Sequence, residues 1–197
     1  MKFGVIAVFC LLSIIGNIAT SVLASALHAP IFLDTIFTVA VTFYAGLVPG
    51  LIVAVLHNPI RTFIRSVIYG TDLFYFGSLY AVCGMLIALS TWIFSRNKKD
   101  FFFNRTVTVL YLLIIVFVSS FLSCFSASAL DTFIRPLLND SLRFFPTDIF
   151  SIPFQKLKFG MFLSYLLPRI PITVLDRLIC TFSGFGLYRL VERRISC

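Results

Sequence analysis

The stretch Thr106-Val107-Thr108-Val109-Leu110-Tyr111-Leu112-Leu113-Ile114-Ile115-Val116-Phe117-Val118-Ser119-Ser120-Phe121-Leu122-Ser123-Cys124-Phe125-Ser126-Ala127-Ser128-Ala129-Leu130 holds no charged side chain between Arg105 and Asp131. A helix rising about 1.5 Å per residue crosses the ~30 Å hydrocarbon core of a bilayer in about 20 residues, and this run is longer than that. On the same criterion the chain divides into six candidate spans, roughly 3–28, 31–46, 49–68, 73–95, 106–130 and 171–191. The second is short, and Gly46-Leu47-Val48-Pro49-Gly50 closes it. Proline and two glycines so close together favour a tight turn between two antiparallel helices over one unbroken helix. The expected fold is an all-α integral membrane protein, a compact six-helix bundle forming a single transmembrane domain over 1–197.

Composition points the same way. Hydrophobic residues make up 59% of the 197 and charged residues 12%, with a mean hydropathy of +1.02. A soluble chain of this size needs about twice that charged share to cover its surface. The net charge of +8 would point to nucleic acid in a soluble protein, but here the basic residues stand at the ends of apolar runs, where they anchor and orient helices. Cys10, Cys83, Cys124, Cys180 and Cys197 are scattered singly and read as thiols without metal-ligand spacing. Lys2, the following apolar run and Ala24-Ser25-Ala26 resemble a signal peptide, yet the run from Phe3 to Leu27 is longer than a signal core, so we read a retained first helix.

Arg96-Asn97-Lys98-Lys99-Asp100, with Arg105 behind it, is a strongly basic short loop and therefore predicts a cytoplasmic position. Arg189, Arg193, Arg194 and Lys2 should lie on that side too, which six spans allow, leaving both termini cytoplasmic. Residues 131–170 then form a long outer connection interrupted by Pro136, Pro146, Pro153 and Pro168, with Arg135, Arg143, Lys156, Lys158 and Arg169 spread along it. Within it, Phe150 to Leu167 reads as an interfacial helix or a further span, and Lys156 and Lys158 disfavour a crossing.

In that orientation the polar groups of the spans gather in the outer half: Asp34, Thr35 and Thr38, Asn58 and Arg61, Tyr75, and Asp176 with Arg177. An ionisable side chain at membrane depth costs about 2.5–3.5 kcal/mol on insertion scales, so it pairs, snorkels or lines a wet cavity. We expect Asp34, Thr38, Asn58, Arg61, Tyr75 and Asp176 to line one outward-facing small-molecule cavity, with Asn58 at its floor and Asp34 and Asp176 nearer its mouth. The alternative is that the charges pair with one another for structure alone. Asn58-Pro59 either exposes backbone acceptors or kinks a packed helix. His57 reads as a satisfied core histidine, and with only His28 besides, no metal site is expected. In the first span Gly16, Thr20 and Ala24 form one line of small residues and Ser21 and Ser25 another. Such lines admit a close helix, either within the protein or from a partner.

No Gly-rich loop followed by Lys and Ser or Thr is present, so the chain has no phosphate cradle for ATP. No Gly-x-Ser-x-Gly elbow, His-Glu-x-x-His pair or cysteine cluster is found either. The reading is therefore not an enzyme, with no cofactor.

The stretch Phe32-Leu33-Asp34-Thr35-Ile36-Phe37-Thr38, followed by Gly46-x-x-x-Gly50 and Asn58, together with Val174-Leu175-Asp176-Arg177-Leu178 at the last span, resembles the substrate-binding S components of energy-coupling factor (ECF) transporters. The resemblance covers most of the chain. It implies a six-helix subunit in a bacterial cytoplasmic membrane that captures a vitamin-like micronutrient near its outer face. It also implies docking of the first helix on a transmembrane coupling subunit driven by two ATPase subunits, here through Gly16, Thr20, Ser21, Ala24 and Ser25 in place of the family's alanine pair. Related modules serve as membrane portions of sensors, so a sensory or scaffold module without transport is the alternative.

Overall fold

A computed structural model describes residues 3–27, 31–69, 75–138, 148–158 and 160–195. Lys2, His28, Arg143, Pro146 and Cys197 of the sequence reading lie outside these. Among the described residues every regular element is a helix: α1 (Phe3–Ala26), α2 (Ile36–Ala45), α3 (Leu47–Tyr69), α4 (Tyr75–Leu79), α5 (Ala81–Ser95), α6 (Lys98–Phe101), α7 (Arg105–Ala129), a π turn (Leu130–Ile134), a 3-10 turn (Pro136–Leu138), α8 (Asp148–Lys156) and α9 (Met161–Ile195). Five helical stretches are long and apolar enough to cross a membrane, in α1, α3, α4–α5, α7 with its π turn, and α9.

The radial distribution of side chains is that of a lipid-dissolved protein. Buried positions hold Asn17, Ser90, Thr91, Ser95, Ser119, Ser123, Ser128, Thr173 and Thr181, while Leu11, Ile15, Phe63, Ile93, Phe117, Phe121 and Leu190 face outward. Water would penalise that outward surface, whereas lipid accepts it, and small or hydroxyl side chains inside let helices approach closely. The chain is a multi-pass membrane protein.

α2 is the centre of the bundle, with Val39, Val41 and Phe43 at most 2% exposed and α1, α3, α5 and α9 packed around it. At Gly184 of α9 an added Cβ would stand 2.6 Å from the Ile36 carbonyl oxygen and 2.9 Å from the Val39 side chain. Only glycine lets the two backbones meet there. A single residue, Gly46, separates α2 from α3; its φ of 90° lies where side chains are disfavoured, and this gives the reversal expected between the second and third spans.

The structure moves several expected boundaries. α2 begins at Ile36, not 31, because residues 31–34 are non-helical. α9 begins at Met161 and runs through Pro168 and Pro171, so the last helix is longer than 171–191. The segment Phe150 to Leu167 is accordingly divided between α8 and the first turns of α9. α3 continues through Pro59. Asn104 caps α7, its side-chain oxygen accepting from the Val107 amide at 2.7 Å. At the far end the Arg135 amide donates to the Leu130 carbonyl at 2.9 Å, closing the π turn.

The start of α1 and the end of α9 share one end of the bundle, where Phe9 meets Tyr44 at 5.1 Å and Phe43 meets Tyr188 at 5.7 Å. We call this the terminal end. Phe43, Phe101, Phe102, Phe185 and Tyr188 form its aromatic core. Lys98 Nζ donates to the Phe43 carbonyl at 3.0 Å and stands 5.6, 5.9 and 5.1 Å from the centres of the Phe43, Phe102 and Tyr188 rings. Burial draws the Lys98 pKa below its ordinary value, with Glu192 opposing.

Candidate functional site: a buried ion-pair cluster

Midway along α9, about 18 Å from Tyr188, the bundle is organised by charge. Asp176 on α9 is 0% exposed, and its Oδ1 accepts from the Phe32 and Leu33 amides, both at 2.8 Å. Leu33 sits at φ 46°, a left-handed conformation that costs of order 1–2 kcal/mol without glycine and turns successive amides toward one carboxylate. Asp176 Oδ2 lies 2.6 Å from Arg177 Nη2. Arg177 also donates through Nη1 to the Thr35 hydroxyl, and its Nη2 stands 3.6 Å from Asp34 Oδ1. Arg61 on α3 reaches Asp34 Oδ2 at 3.9 Å. The segment before α2 is thus fixed to α9 and α3 by two aspartates and two arginines.

Asp34, Arg61 and Asp176, expected to share one place, do so. Thr38 is buried close by in sequence, but its hydroxyl is occupied, accepting from Asn17 Nδ2 of α1 at 2.9 Å. Asn58 is half-buried on α3 and takes no part in the ion pairs. Tyr75 opens α4, and its side chain lies outside the described set. Of the small residues of α1, Ser21 and Ala24 are 1% exposed and Gly16 packs against the Phe37 ring, where a Cβ would come within 2.6 Å. Thr20 donates to the Leu33 carbonyl at 2.5 Å, and Ser25 is exposed. Gly16, Thr20, Ser21 and Ala24 therefore pack within the protein, while Ser25 faces outward.

Two groups were missed. Asn17 is fully buried and, besides Thr38, its Oδ1 accepts from the Phe37 amide at 2.9 Å, tying α1 to the first turn of α2. A lone amide within an otherwise apolar helix is a readable signal for such a role. The second is an ion pair from the connection read as 131–170. Asp131, 1% exposed, lies 2.7 Å from Arg169 Nη2 and accepts from the Tyr80 hydroxyl at 2.6 Å. Arg169 and Asp176 are two helical turns apart on α9, about 10.5 Å along the axis, so both pairs border one inward stripe with Thr173 between them. In the sequence Asp131 looks like the first residue past the apolar run that ends at Leu130, and Pro168 and Pro171 conceal that Arg169 belongs to α9.

His57, expected to be satisfied within the core, is 2% exposed, yet its Nε2 has no hydrogen-bond partner. Arg61 is its i+4 neighbour on α3, one turn along the same face, and Asp34 is within electrostatic reach. Asp34 Oδ1 and Arg177 Nε are buried and equally without hydrogen bonds. A buried polar atom left wholly without a partner costs about 1–3 kcal/mol; Asp34 Oδ1 has the Arg177 ion pair at 3.6 Å. Among the described residues no three metal-ligating side chains group together. Compared with protein-family models, curated proteins and solved structures, the chain matches none.

Proposed function

We propose that this protein is the substrate-capturing membrane subunit of an ATP-driven micronutrient uptake transporter, resembling ECF S components, in a bacterial cytoplasmic membrane. The observation that carries the reading is the convergence of Asp34, His57, Arg61, Asp176 and Arg177 from three separate elements at one level of the bundle, with His57 Nε2 and Arg177 Nε without hydrogen-bond partners. A chain that needed these charges only for cohesion would do better with apolar packing, since buried ion pairs add little net stability. The terminal end, with Arg96, Lys99, Arg105 and Arg193 exposed, is the cytoplasmic face in this reading. Energy comes from a coupling subunit and two ATPase subunits, because the chain has no phosphate loop. The exposed apolar ridge of α1, including Val8, Leu11, Leu12 and Ile15, is the surface open to that subunit or to lipid.

The test has two parts. Small molecules carried through purification are identified by mass spectrometry, and their uptake is measured in cells with and without the ATPase complex. Retained ligand with ATPase-dependent accumulation is expected. Retained ligand without accumulation would replace transport by the sensory reading. Single cysteines at Asn97 and Gln155 in a cysteine-free background should label from opposite sides, and labelling of both from the same side overturns the six-span topology.

A further inference from the structure

We infer that the terminal end of the bundle selects anionic phospholipid: Arg96, Lys99, Arg105, Arg193 and Arg194 hold its headgroup phosphates while Phe103 inserts among its acyl chains. The inference stands apart from the capture reading above.

The charge at this end is not balanced from within. Arg96, Lys98, Lys99, Arg105, Arg189, Arg193 and Arg194 are exposed there, from the end of α5, from α6, from the start of α7 and from the last turns of α9. The described acids of the same end are two, Asp100 and Glu192, and Glu192 is paired with Arg189 at 2.8 Å. Among the described residues no acid pairs with Arg96, Lys99, Arg105, Arg193 or Arg194. Such an excess of one sign on one surface creates a field that draws anions from outside the chain.

The lipid-facing surface sets the height of these cations. Ile93 is exposed three residues before Arg96, Val109 four after Arg105, and Leu190 four before Arg194. Residues three or four apart share a helix face, so on each of three helices a cation stands about one turn, ~5.4 Å, from a side chain that faces lipid. That is the level of the headgroups. Phe103, in the turn between α6 and α7 and two residues before Arg105, is 78% exposed. An anionic bilayer supplies phosphate for the cations and hydrocarbon for this ring at one place, whereas a free phosphate or a nucleic acid supplies only the first. Two of the guanidinium groups are already laid against rings, Arg96 at 5.6 Å from the Trp92 centre and Arg189 at 5.3 Å from that of Phe102. Stacking of this kind holds an arginine in place before an anion arrives.

Trp92 is the single tryptophan and lies one turn from Arg96, so it reports on the lipid beside these cations. The full-length purified protein is reconstituted in phosphatidylcholine vesicles holding about one fifth phosphatidylglycerol. Energy transfer from Trp92 to chain-labelled pyrene phosphatidylglycerol is compared with transfer to the same label on phosphatidylcholine. Phosphatidylglycerol should be enriched at least about threefold at low salt, and raising salt from about 0.05 M to about 0.5 M should remove about half of that preference or more. Neutralising Arg96, Lys99, Arg105, Arg193 and Arg194 together to Gln should abolish it, while Lys156→Gln with Lys158→Gln, at and beyond the end of α8, should leave it unchanged. If the fivefold variant fails to fold, the wild-type preference, its salt dependence and the pair Arg193→Gln with Arg194→Gln decide. In a Trp92→Phe background, Phe103→Trp should be quenched by chain-brominated lipid and sheltered from aqueous acrylamide. Equal transfer to both labels, a preference indifferent to salt, or a preference lost only with the α8 lysines overturns the inference. Competition by soluble glycerol phosphate would replace the lipid by a free phosphate and overturn it too. A Phe103→Trp ring open to acrylamide and untouched by brominated lipid would also overturn it and leave these cations to an acidic protein.

Discussion

Two levels of the bundle solve the same problem differently. At the terminal end the chain closes polar groups with rings: Lys98 is held by a carbonyl and three aromatic faces, and Glu192 receives both the Tyr188 hydroxyl at 2.6 Å and Arg189 at 2.8 Å. Midway along α9 Asp34, Arg61, Asp176 and Arg177 hold one another, yet His57 Nε2 and Arg177 Nε have no hydrogen-bond partner. One level closes its polar groups near the surface, where Lys98 and Arg189 stay exposed. The other has capacity to spare, and spare hydrogen-bonding capacity in a dry interior is what a binding site requires and a seal avoids.

The comparison breaks most visibly at Arg177. Arg177→Leu removes the cation shared by Asp176 and Asp34 and leaves both carboxylates buried, so a loss of about 3–5 kcal/mol is expected, read as a large drop in melting temperature and yield in detergent. A variant that melts like wild type would show that the cluster is hydrated and not buried. Asn17→Leu should cost less, about 1–3 kcal/mol, because it strips partners from Thr38 and the Phe37 amide while filling the same volume. Its melting curve sharpens the comparison by isolating the α1–α2 contact from the ion pairs. Lys98→Met is expected to cost about 1 kcal/mol or less, one carbonyl hydrogen bond plus cation–π contacts near the surface. Retention of any co-purified small molecule should not change in that variant. Loss of ligand from Lys98→Met at unchanged stability would mean that the terminal end also takes part in binding.

Much of the fold was legible because its governing variable, apolar length against bilayer thickness, is local. The spans at α1, α3, α5 and α7 follow from it directly. α2 and α9 did not, for opposite reasons. Residues 31–35 are apolar enough to continue a helix, but Asp176 takes the Phe32 and Leu33 amides, a bond to a residue far along the chain that no local pattern shows. Pro168 and Pro171 look like breakers, yet α9 passes through them, as membrane helices tolerate when neighbours cover the freed carbonyls. At the site, Asp34, Arg61 and Asp176 could be foreseen together because charges in an apolar chain have few places to go. His57 could not, since whether its Nε2 meets a partner depends on the rotation of α3 against its neighbours. Arg169 is hidden by the same prolines, and Asp131 by its place at the end of an apolar run.

The ten residues of α2 rise only about 15 Å, half of a hydrocarbon layer about 30 Å thick. With its C-terminal end held at the aromatic core, α2 places Asp34 about halfway through such a layer, deeper than the mouth position expected from the sequence. Any solute that reaches Asp34 has crossed part of the transmembrane electric field before the protein moves at all. For a unit charge that passage involves roughly half of the ~2.3 kcal/mol that each 100 mV represents, so capture of an ion would vary with membrane voltage. Capture of a neutral molecule would proceed alike in energised and depolarised cells.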